Sequence, residues 1–187
     1  MTRKGQISRE RIIEAANRLI YIKGYNQTSF ADVANDVGIT KGNLHYHFKS
    51  KDELLEAIID HRLAMIADTL ATWDEQFPAA KDRLKRFVQM LLSEEQGVVR
   101  YGCPMGSINM ELGKCQLSLR DKAREMFDLF QDWLSLVFKQ LGYKDHTAQA
   151  KHLLAMAQGA ALMSYVYTDA KILRDECKAI NDWIDKL

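Results

Sequence analysis

The chain is short of residues that interrupt or staple a fold. Two prolines in 187 residues leave long helices few built-in stops. Three cysteines, an odd number with no Cys-x-x-Cys pair, argue against a disulfide framework and against a zinc ribbon. No apolar run reaches the ~18 residues of a membrane span, and the first residues lack a signal-peptide core, so a cytoplasmic protein without membrane contact is expected. A Gly-rich phosphate loop, an HExxH helix and a nucleophile elbow are all missing, which leaves no catalytic residue and no cofactor to assign. His45 and His47 stand two residues apart, a spacing that points the rings to different helix faces and makes a poor metal pair. An enzyme is therefore not expected.

Charges of the two signs nearly cancel in the sum but are uneven along the chain. A net +1 by itself implies no polyanionic partner. Residues 1–51, however, hold nine Lys and Arg against four Asp and Glu, whereas residues 52–187 hold 17 against 21. A basic head on a mildly acidic body suits a nucleic-acid-binding domain joined to one that does not bind. The expected division is 1–51 and 52–187.

What is present is helical periodicity. Phe30, Val33, Ala34 and Val37 fall on one helical face, with Ser29 and Asp32 spaced to cap its start and Gly38 to stop it. Thr40 caps a second short helix from Lys41 to about Phe48, which buries Leu44 and Phe48. Helix, glycine-bearing turn, helix is a helix-turn-helix, whose second helix enters the DNA major groove. That second helix has the chemistry for it. Gly42 allows close approach, Asn43 donates and accepts toward a base edge, and Lys41, His45, Tyr46 and His47 offer donors. Lys51 opens the following helix, where backbone N–H groups and an ammonium together favour a phosphate. Ser50 and Glu53 form a capping box at that start.

The stretch from Thr28 to Leu54, TSFADVANDVGITKGNLHYHFKSKDELL with its next residue, is similar to the DNA-binding signature of the TetR/AcrR family of transcriptional regulators. Thr28, Ala34, Gly38, Ile39, Thr40, Lys41, Gly42, Leu44, His47, Phe48, Ser50, Lys51 and Leu54 fall on the family pattern. His45 departs from it, standing where the family usually has a tyrosine on the phosphate backbone. The resemblance implies an all-α protein: an N-terminal three-helix DNA-binding domain followed by a helical domain for effector binding and dimerisation. Lys41 and Asn43 would approach bases, while Thr28, Thr40, His45, Tyr46, His47 and Lys51 would hold phosphates.

The rest of the chain reads as helices. Met1 to Ile7 is a mobile arm or a plain tail, and Ser8 caps a helix to about Gly24. A long helix from Ser50 ends at Pro78, and another spans Ala79 to about Gln96. Gly97 to Gly106, with three glycines and Pro104, reads as irregular. Shorter and longer helices follow over Ser107 to Gly113, Ser118 to Leu141, His146 to Thr168, and Ala170 to Leu187. The last carries Leu173, Cys177, Ile180, Ile184 and Leu187 as a seam. The last two helices are assigned to a homodimer, as the resemblance also implies; packing within one subunit is the alternative.

The resemblance further implies an effector cavity between Ala79 and Thr168. Its candidate wall is Phe87, Met90, Cys103, Met105, Met110, Phe127, Phe130, Trp133, Met156, Met163, Tyr165 and Tyr167, each of which otherwise reads as plain core. No buried charge cluster is visible, so an apolar or weakly polar small molecule is expected. Cys103, between Gly102 and Pro104, is either a small turn residue or the sensing thiol of a family subset that responds to electrophiles, which makes an electrophilic effector an option. Cys115 and Cys177 read as structural. The function expected is a dimeric repressor released from a palindromic operator by its effector. The competing class is a helical small-molecule-binding protein without DNA binding, against which Lys41, Gly42, Asn43 and Lys51 speak.

Overall fold

The computed structural model describes the backbone of residues 3–115 and 117–187 and the side chains of 9–113 and 119–187. Among these there are ten helices and no strand: α1 (Arg3–Lys23), α2 (Phe30–Val37), α3 (Lys41–His47), α4 (Lys51–Gln76), α5 (Ala80–Ser93), α6 (Glu95–Tyr101), α7 (Pro104–Cys115), α8 (Leu117–Gln140), α9 (His146–Tyr167) and α10 (Ala170–Asp185). Two compact units result, one of residues 1–64 with 107–125 and the other of 65–106 with 126–187.

The first unit buries Ile12, Ala16, Leu44, Phe48, Leu55 and Ile58 completely, with Leu112 and Ala123 of α7 and α8. Leu44 and Phe48 sit one turn apart, so α3 turns its apolar edge inward and leaves the opposite edge free. Removing the Phe48 ring would cost about 3–5 kcal/mol at such a site. The guanidinium of Arg9 lies 4.8 Å over that ring, which engages one of the basic side chains of α1.

The second unit has its own core, in which Leu84, Phe130, Leu134, Phe138, Leu153 and Leu173 meet. Small residues Ala150, Ala157 and Ala161 of α9 are buried there, as their size allows for close helix approach. The apolar seam of α10, Leu173, Cys177, Ile180 and Ile184, is buried within the chain. α10 packs on α5, α6 and α9. Its ends are tied by Lys85 to Asp185 at 2.5 Å and Arg174 to Glu95 at 3.0 Å.

Three segments depart from the sequence reading. α1 begins at Arg3, so the expected arm over residues 3–7 is helix; the Ser8 side chain lies outside the described residues. The stretch expected to be irregular contains α6, with Gly97 inside it, and only Gly102, at φ 80°, breaks the chain before α7. Pro104 is the first residue of α7, where a missing N–H costs nothing.

Candidate nucleic-acid interface

The helix-turn-helix is built by local capping. The Ser29 hydroxyl accepts from the Asp32 N–H at 3.2 Å, and the Asp32 carboxylate accepts from the Ser29 N–H at 2.8 Å. The Ser29 hydroxyl also donates to the Asp32 carboxylate at 2.5 Å, and that bond, then the Ser29 N–H, then Lys23, hold the Asp32 carboxyl down at about 2. Gly38 ends α2 in the left-handed region, at φ 74° and ψ 36°, with its N–H turned back on Ala34 and Asn35. Thr40 then accepts from the Asn43 N–H at 3.2 Å and starts α3.

α3 presents Lys41, Gly42, Asn43, His45 and Tyr46 to solvent, with Tyr46 72% exposed. His47 is half-buried, and its Nδ1 is buried with no hydrogen-bond partner among the described residues. His45 packs on Phe30, ring centroids 5.0 Å apart, which links the second helix to the first residue of the other. Lys49 donates to the His45 carbonyl at 3.0 Å and so closes the C-terminal end of α3. A Cβ placed on Gly42 would meet only the Thr40 hydroxyl, at 3.9 Å. The fold itself therefore has room for alanine there.

Beside α3 lies an open hollow of about 430 Å³ lined by Asn26, Gln27, Thr28, Ser29, Phe30, His45, Ser50 and Lys51. It gathers the N-terminal ends of α2 and α4. Ser50 accepts from the Glu53 N–H at 3.0 Å, while Glu53 reaches back to the N–H of Lys49 at 2.7 Å, one residue earlier than a standard capping box. Lys51 holds its ammonium 4.1 Å over the Tyr25 ring and 3.5 Å from the Asn26 carbonyl. Two helix starts, with their positive dipole ends, beside a lysine make a seat for an anion.

Thr28 is 3% exposed and its hydroxyl donates to the Gly24 carbonyl at 2.8 Å, so it fixes the turn from within at the edge of the same hollow.

The expected effector wall falls into separate places. Phe87, Phe130 and Trp133 are buried core of the second unit, the first two rings packed edge-on at 5.6 Å. Met90, Cys103, Met105 and Met156 are partly buried against that core, and Phe127 is half-buried. Met163, Tyr165 and Tyr167 are exposed, the last to 64%. Met110 is 62% exposed and belongs to the first unit, so it is no part of the core the others share. Cys103 accepts from the Gly106 N–H at 3.4 Å in the first turn of α7. Cys177 is fully buried, and desolvation pushes its thiol up to about 11, which makes it inert. The Cys115 side chain lies outside the described residues.

Sequence reasoning missed a buried polar group in the second unit. Arg83 donates to Asp74 at 2.9 Å and to Gln140, and the Trp133 indole also donates to Asp74, at 3.1 Å. Its members are spread over residues 74–140, so no local spacing signals them. Arg83 and Trp133 are buried while Asp74 and Gln140 are exposed, so the group closes the edge of the core.

Comparison with known proteins agrees with this geometry. The model of bacterial regulatory proteins of the tetR family matches residues 12–58, and that of the C-terminal domain of LmrA/YxaF-like transcriptional regulators matches residues 80–178. The chain belongs to the TetR family. An HTH-type transcriptional regulator from the lacX 3′ region of Lactococcus lactis subsp. lactis is 27% identical over 188 residues, 96% of this chain and 94% of its own. The regulator LmrA of Bacillus subtilis is 26% identical, covering 84% of this chain and 86% of its own. A TetR transcriptional regulator from Legionella pneumophila superposes with a TM-score of 0.81 at 27% identity, over 100% of this chain and 97% of that one. TetR-family proteins are DNA-binding transcriptional regulators, not enzymes, and among the described residues no helix is long and apolar enough to cross a membrane.

Proposed function

We propose that this TetR-family regulator is a homodimeric repressor that holds a palindromic duplex and lets it go when a small molecule occupies the second unit. The observation that carries the reading is the pairing of the exposed Lys41–Tyr46 edge of α3 with the anion seat at Lys51. Lys41 and Asn43 reach base edges in the major groove, and Gly42 lets the helix backbone come close. Tyr46 and His45 contact one phosphate run, and Lys51 with the α2 and α4 starts holds a phosphate on the flank. Thr40 and His47 contribute by shaping α3, one as its cap and the other from its half-buried side.

Dimer contact is assigned to α9, whose Leu162, Met163, Val166 and Tyr167 remain exposed while the α10 seam is spent internally. An apolar row of that kind needs a partner surface. Two heads then read half-sites about one helical turn apart. The effector site is assigned to the half-buried methionines around Phe87 and Phe130, with Cys103 at its edge. Effector and DNA act as opposed ligands of one equilibrium.

The test is selection of duplexes from a random library by the full-length chain, followed by titration across salt. A palindromic duplex is expected. Lys51→Ala is expected to bind it about tenfold more weakly, with the salt slope lowered by about one. Recovery of no sequence above random competitor would refute the reading.

A further inference from the structure

The turn that follows α1 is held from outside the helix-turn-helix. Glu111 of α7 accepts from the Tyr25 N–H on Oε1 at 3.3 Å, and from the Asn26 N–H and Nδ2 on Oε2 at 3.0 and 3.2 Å. A single carboxylate thus takes up two backbone donors and a side-chain amide, partners that ionised acceptors hold more firmly than neutral ones. The turn is shaped to receive it. Gly24 stands at φ +89°, and a Cβ there would come within 2.6 Å of Glu111 Oε1. Glycine at this position therefore serves both the left-handed backbone and the close approach of the carboxylate.

The same two residues hold the first turn of α4 by their other atoms. The Asn26 carbonyl lies 3.5 Å from the Lys51 ammonium, and the Tyr25 ring carries that ammonium at 4.1 Å. The Tyr25 hydroxyl donates to Asp52 at 2.6 Å. One side of the turn faces Glu111; the other faces Lys51 and Asp52. Asn26 also lines the anion seat.

We infer that Glu111 is a positioning residue for the phosphate seat: it fixes residues 24–26, and through them the Lys51 ammonium, without touching DNA itself. This rests on the reading of the hollow as a phosphate site. Residues 104–106 of α7 belong to the second unit and 107–115 to the first, so the helix that carries Glu111 is shared by both.

The experiment titrates full-length wild type and variants against the duplex recovered by selection, without effector, over a range of about 50 to 200 mM salt. Glu111→Ala is expected to bind about tenfold more weakly with a slope lower by about one, as Lys51→Ala does. The double variant Glu111→Ala with Lys51→Ala should bind no more weakly than Lys51→Ala alone. Glu111→Gln, which keeps the shape and one acceptor oxygen, should fall between, and it serves as the readout should Glu111→Ala fail to fold. Thermal unfolding measured alongside separates a merely structural role, which would lower the melting temperature in both backgrounds without moving the slope. A wild-type slope and affinity in Glu111→Ala or Glu111→Gln, or losses that add in the double variant, would overturn the inference and leave the DNA-binding reading intact. If wild type selects no duplex, that reading fails first.

Discussion

Two edges of this molecule leave large side chains in solvent, and their chemistry is opposite. On α3 the exposed Tyr46 stands among Lys41, Asn43 and His45, so the edge offers donors and positive charge. On α9 the exposed Leu162, Met163, Val166 and Tyr167 offer almost no charge at all. The first suits phosphates and base edges, which are anionic and hydrogen-bonding. The second suits another apolar surface, since water is a poor neighbour for such a row. Exposure marks an edge as available; side-chain chemistry says for what.

A charge on the apolar edge should produce the largest effect. Val166→Glu is expected to yield a monomer by light scattering and to lose on the order of a hundredfold in affinity for a two-half-site duplex, because each head then binds alone. A dimer of unchanged affinity would show that α9 is not the contact and would break the contrast between the edges.

Gly42→Ala sharpens it from the other side. The fold has space for the methyl, and alanine favours helix, so stability in urea should rise by roughly 0.5 kcal/mol. Affinity for the duplex should nonetheless fall by about the 1–3 kcal/mol of one base contact, since the methyl holds the helix away from the groove. Stability and affinity rising together would remove the close approach at Gly42.

The smallest effect concerns acid. Asp32 is held at about 2 against an ordinary 3.8, so its contribution to stability is complete above pH 4 and is lost as pH falls through about 2. Asp32→Ala should flatten the fall in stability between those values, followed by far-UV circular dichroism in urea. It should leave the salt slope for DNA alone, because the carboxylate acts on the α2 cap and not on phosphate. A changed slope would mean that Asp32 shapes the DNA-facing edge directly.

The contrast also explains what could be read from residues alone. The caps at Ser29, Gly38, Thr40 and Ser50 involve partners three or four residues away, so spacing reveals them, and with them the whole of α2 and α3. The second unit depends on distant partners. Leu173, Cys177, Ile180 and Ile184 are legible as an apolar stripe, but the stripe does not say whether α5 and α9 of the same chain or a second subunit will cover it. α6 was hidden by Gly97, whose poor helix propensity is outweighed by burial of Val98. Thr28 reads as a polar surface residue until its hydroxyl is seen on the Gly24 carbonyl. Glu111 carries no local signal, because its role depends on a turn 85 and 86 residues earlier in the chain.

In the proposed complex α3 lies in the major groove with its twin one turn away. Methylation interference at guanine N7, which lines only that groove, reads this placement on the selected duplex. Two interfering clusters on one face of the DNA, their centres about 10 base pairs apart, each lost in Asn43→Ala, are the predicted result. Binding that ignores N7 methylation, or a single cluster unaffected by Asn43→Ala, would contradict it.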